Sequence, residues 1–109
     1  MDNWGRDPSV RAMRRVFTGM EKALDDFLQQ LNIDPLDHRI RGWLEQALAK
    51  YENAWGVASR MGVHMDEDRA PAVYARCLLK VISLDGIKIP VNMLPIEIDT
   101  ERLISEVFK

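Results

Sequence analysis

A single cysteine, Cys77, means that no disulfide can form within the chain, and a lone thiol fits a reducing compartment. Histidine is as scarce: His38 and His64 are the only two, far apart in sequence. The six glycines stand singly, at 5, 19, 42, 56, 62 and 86. None makes the Gly-rich turn before a helix that cradles a phosphate, which excludes P-loop and dinucleotide-binding readings. No apolar run approaches the ~18 residues a membrane span needs. The opening "MDNWGRDPSV" has neither an apolar run nor a clustered basic start, so no secretory signal is expected. Basic residues are not in excess, with 15 Lys and Arg against 17 Asp and Glu and a net charge of −2. A nucleic-acid binder usually carries a basic patch strong enough to displace counterions. The best local candidate is Arg6, Arg11, Arg14 and Arg15, and the acids Glu21, Asp25 and Asp26 follow it. That pattern reads as a solvated helix face.

What is present suits one globular domain spanning residues 1–109. The chain has 109 residues, 47% hydrophobic and 29% charged, and a chain of this size buries about two-thirds of its surface on folding.

The periodicity is helical over most of the chain. Asp7-Pro8 is a cap followed by a proline at the first helical position. From there Val10, Met13, Phe17, Met20, Leu24, Phe27 and Leu31 recur at alternating spacings of 3 and 4, with Val16, Ala23 and Leu28 widening the stripe. This predicts a bundle helix over about 8–31. Asp34-Pro35 repeats the cap-plus-proline device and predicts a second helix over about 35–61, an antiparallel neighbour of the first. It carries two stripes: Leu36, Ile40, Trp43, Ala47, Ala54, Val57 and Met61, and Leu44, Leu48, Tyr51, Trp55 and Ala58. So wide an apolar arc predicts the central helix or an oligomer interface. Gly42 and Gly56 inside it suggest a close helix approach or a kink, and Gly62 is its expected stop. A third helix is predicted over about 68–84, capped by Asp66 or Asp68. It is apolar around most of its circumference, with Arg76 and Lys80 marking a charged edge.

At "DGIKIPVNMLPIEID" the period changes. Ile87, Ile89, Val91 and Met93 alternate with polar residues and proline; then Leu94, Ile96 and Ile98 alternate on the opposite parity. Two prolines bar a central strand. The expectation is a Pro-containing extended segment at about 86–98, either a strap or small hairpin over its own bundle or an arm for another chain. A last helix over about 100–108 is expected, capped by Asp99, with Ile98 and Leu103 as its hydrophobic staple. The fold class is therefore all-α: an antiparallel three-helix (to four-helix) bundle with a short C-terminal helix.

Chemistry-bearing patterns are few. "HMDED" sets His64 beside Asp66, Glu67 and Asp68, a set that could catch a divalent ion, but acidic connections of this kind usually serve as loop and cap. Asp34 with Asp37, Glu21 with Asp25, and Glu45 with Glu52 are carboxylate pairs of the kind nucleotide hydrolysis uses; they fall at a helix start or among solvated positions. Cys77 lies within an apolar face, where a thiol is inert packing. No catalytic residue, cofactor or metal is expected.

The balance favours a non-enzymatic helical protein–protein interaction module, an adaptor or regulatory subunit that self-associates as a homodimer in the cytoplasm. Its candidate partner-binding residues are Ile87, Ile89, Val91, Leu94, Ile96 and Trp4. A small helical enzyme or ligand binder using inter-helix carboxylates is one alternative, and a DNA-binding regulator using Arg11, Arg14 and Arg15 is another.

Overall fold

A computed structural model describes residues 8–93 and 97–109, with α1 side chains described from residue 16 onward except Phe17. Among the described residues four α-helices form: α1 (Pro8–Gln30), α2 (Ile40–Met61), α3 (Arg69–Leu84) and α4 (Ile98–Val107). Among the described residues there is no strand. The fold is a helical bundle.

Helix ends follow local chemistry. Asn32 adopts a left-handed conformation at φ 55°, and the Ile33 N–H reaches back to the Leu28 carbonyl at 2.9 Å. This is the Schellman arrangement, which satisfies orphan carbonyls at a helix end. Gly62 repeats it at φ 72°, with the Val63 N–H on the Ala58 carbonyl at 2.9 Å. Asp66 Oδ1 accepts the N–H groups of Asp68 and Arg69 at 3.0 and 2.7 Å and so supplies the cap of α3.

Two predicted helix starts move. The second helix begins at Ile40 and not near Pro35. Asp34 Oδ1 accepts the Leu36 N–H and Asp37 Oδ1 accepts the Arg39 N–H, each at 2.9 Å. These side chains take backbone donors two residues on and hold two successive turns where a helix would otherwise start. Leu36 therefore leaves the α2 stripe and stands in solvent. At the other end of the chain α4 starts at Ile98, so the cap is Glu97 and not Asp99. The Glu97 side chain accepts from the Asp99 and Thr100 N–H groups and from the Thr100 hydroxyl. Ile98 becomes the first helical residue, 71% exposed, and makes no staple.

The packing order also differs from expectation. Helix α3 packs against α1, α2 and α4, and α2 also packs against α4. Among the described residues no Cα of α1 comes within 8 Å of one in α2. The expected α1–α2 neighbour pair is thus replaced: the two turns at 34–39 lengthen the connection and let α3 lie between the two helices. The central helix is α3, not α2. Its buried side chains include Ala70, Val73, Tyr74, Cys77, Leu78, Leu79, Val81 and Ile82. Gly19 lies at the α1–α3 contact, where a methyl group would sit 3.4 Å from Pro71 Cβ, a close but ordinary contact. Gly42 and Gly56 play no such part: a methyl at Gly42 would meet nothing within 4 Å, and one at Gly56 only the Arg60 guanidinium at 3.8 Å.

Helices α2 and α3 run antiparallel. Trp43, near the start of α2, donates its indole N–H to Asp85, just past the end of α3, at 2.8 Å. Midway, the rings of Tyr51 and Tyr74 meet edge to face at 5.6 Å. The first turns of α4 lie beside the first turns of α3, because Arg69 reaches Glu97 at 3.5 Å and Arg76 reaches Glu101 at 2.6 Å. The chain after Gly86 must therefore travel back along α3. The 16 residues of α3 rise about 24 Å. Residues 87–97 reach roughly 36 Å at most and only about 17 Å as a helix, so the return cannot be helical throughout, in keeping with the change of period and the prolines. The whole measures 44 × 32 × 21 Å, and its thin dimension fits two helix layers at a spacing of roughly 10 Å.

Candidate functional site

The returning segment decides the site, and its apolar side chains divide in two. Ile87 and Ile89 are half-buried against the molecule's own core, and Met93 is buried in a single 3₁₀ turn, Val91–Met93. Val91 points the other way and is 80% exposed. Trp4, Leu94 and Ile96, the other candidate contact residues, lie outside the described residues. Over its described part the segment is a strap, neither a hairpin nor a free arm.

Between the strap and α3 runs a groove of about 290 Å³. Leu79, Ile87 and Ile89 give it an apolar lining, and Arg76, Lys80 and Lys88 give it cationic edges. Arg76 is committed: its Nε donates to Glu101 Oε1 at 2.7 Å, and its side chain is 12% exposed. Lys80 and Lys88 are exposed and pair with no carboxylate among the described residues. The sequence had marked Arg76 and Lys80 as the charged edge of the third helix. It held no sign that a strap would bring Lys88 to the same groove.

The carboxylates do structural work. Asp37 accepts from Arg39 Nε at 3.1 Å and Nη2 at 2.8 Å, and the guanidinium lies 5.0 Å from the centre of the Trp43 ring. The Arg39 hydrogen bonds hold the Asp37 carboxyl down to about 2. Asp66 is lowered by the Arg69 backbone N–H, and Glu97 by the Thr100 hydroxyl and N–H. Arg69 also donates to the His64 carbonyl at 2.8 Å. "HMDED" is thus the cap and brace of α3. Glu21, Asp25, Glu45 and Glu52 are exposed, and Glu45 meets Arg41 at 3.4 Å. Among the described residues no three His, Cys, Asp or Glu side chains gather as a metal-binding group. The side chains of Arg6, Arg11, Arg14 and Arg15 lie outside the described residues.

Cys77 is fully buried, and burial pushes its thiol up to about 12. The thiolate, which is the reactive form, is suppressed at neutral pH. Among the described residues, the buried hydroxyls of Tyr51 and Tyr74 have no hydrogen-bond partner. Burial raises both phenols, Tyr74 to about 12.

Among the described residues, the large apolar side chains left in solvent are Leu36, Trp55, Leu84, Val91 and Ile98. Leu36 is the extreme case at 89% exposed, standing between Asp34 and Asp37 at the tip of the pinned turn. Sequence reasoning placed it on the inner face of α2. The clue against that was the pair of aspartates, each able to cap a turn as readily as a helix.

No helix among the described residues is long and apolar enough to cross a membrane. No family model, curated protein or solved structure matches the chain.

Proposed function

We propose that this chain is a protein–protein interaction module, an adaptor or regulatory subunit that acts by self-association in the cytoplasm. The observation that carries this reading is Leu36. Burying a leucine is worth about 1.5–3 kcal/mol, yet here two aspartate turns hold it in solvent on a pinned backbone. A single exposed leucine is ordinary on a protein surface; what supports a contact here is the backbone that the two aspartates pin beneath it. Asp34, Asp37, Asp66 and Glu97 are engaged in holding turns and helix starts. The free, buried Cys77 suits a reducing compartment.

The native mass of the full chain, measured by sedimentation over a wide range of concentration, tests the reading. A mass that rises to twice the chain mass supports it. A chain that stays monomeric removes self-association from it. Stabilisation by divalent cations or nucleotides in thermal-shift assays would favour a ligand-binding role instead.

A further inference from the structure

The tip and the groove have matching chemistry. The tip presents an aliphatic side chain flanked by Asp34 and Asp37. Asp37 is held by Arg39, while Asp34 has no cation beside it among the described residues. The groove offers an apolar lining from Leu79, Ile87 and Ile89, with the free ammonium groups of Lys80 and Lys88 at its edge. A partner that fills it should bring an aliphatic side chain next to a carboxylate. The tip has that composition.

Placement agrees. The hydrogen bond from Trp43 to Asp85 ties the start of α2 to the end of α3. The tip precedes α2 by a few residues, and the groove lies along the last two turns of α3. Both features therefore sit at one end of the slab. Leu36 does not fill the groove of its own chain, because it is 89% exposed. A two-fold axis at that end lets each tip enter the other chain's groove, giving a closed, self-complementary interface. From this we infer that the groove between α3 and the strap is the receptor for the Asp34–Asp37 tip of a second copy. The inference rests on the self-association proposed above and assigns its contact.

Sedimentation equilibrium of the full chain tests it. Leu36→Ser, and separately Lys80→Glu with Lys88→Glu, should each weaken the dimer at least about tenfold, as loss of a central contact does. Circular dichroism should stay unchanged, since all three side chains are exposed. In a mixture exposed to a mild oxidant such as oxidised glutathione, a Leu36→Cys chain should form a disulfide with a Ser83→Cys chain, while Cys77 stays buried and silent. A dimer unaffected by the tip and groove variants overturns the assignment and leaves self-association standing. A dimer broken by the lysine changes but not by Leu36→Ser means that a different acidic segment fills the groove, which also overturns it. A chain that is monomeric throughout overturns both.

Discussion

Trp43 and Asp85, 42 residues apart, meet through one hydrogen bond of 2.8 Å from the indole Nε1–H to a carboxylate oxygen. It is the fastening between the start of α2 and the end of α3. Trp43 is buried, so its N–H has no access to water in place of that partner. Asp85→Ala should cost about 1–3 kcal/mol, the penalty for an orphaned buried donor. Asp85→Asn retains an acceptor oxygen and should cost less. Urea unfolding of both variants checks the order; equal losses would show that the bond contributes nothing specific.

The strap makes a positional prediction. Ile87→Ser and Ile89→Ser remove half-buried side chains that pack on the core and should each destabilise by about 1–2 kcal/mol. Val91→Ser removes one that is 80% exposed and should stay within about 0.5 kcal/mol. Removing residues 87–109 should unfold the chain, because the buried Leu103, Ile104 and Val107 go with them. A truncated chain that remains folded would contradict the strap.

Gly42 and Gly56 lie in α2 with space around them. Alanine at either should stabilise by about 0.5–1 kcal/mol through helix propensity alone. Gly62→Ala should do the opposite, since its φ of +72° is costly for a residue with a Cβ. Thermal or chemical unfolding of the three variants gives the signs directly.

Stability should be flat between about pH 5 and 9 and fall on both sides. Asp37, Asp66 and Glu97 all titrate below their ordinary values of 3.8–4.5. Their contribution is complete above that range and is lost as pH falls, for Asp37 through about 2. Cys77 and Tyr74 are raised by burial from 9.0 and 10.0 to about 12. Their contribution is complete below pH 9 and is lost as pH rises towards 12. Denaturation midpoints across this range, with Cys77→Ala shifting the start of the alkaline limb upward, provide the measurement. An unfolding curve that did not change above pH 9 would sink the alkaline half.

The helical periodicity was legible because each apolar stripe repeats every three or four residues, as in the α1 seam and in the nearly all-round burial of α3. The Gly62 stop was legible for the same local reason. Helix starts were less so: Asp34-Pro35 and Asp99 look like caps, but an aspartate can hold a turn or a helix with the same carboxylate. The candidate site was legible only in fragments. Ile87 and Ile89, picked as contact residues, are half-buried on the core and also line the groove, and Leu36 was placed inward and stands outside. Lys88 meets Lys80 only because the strap returns along α3, and no periodicity encodes that return.

The amino-acid order by itself determined which segments are helical, where Pro and Gly interrupt them, and that the helical period stops at Gly86. Those are properties of neighbouring residues and their backbone preferences. Only the tertiary structure decided that α3, and not α2, takes the centre, because covering an apolar arc depends on which surfaces are available across the fold. The same competition for burial turned Ile87 and Ile89 inward and left Leu36 outside on its pinned turn.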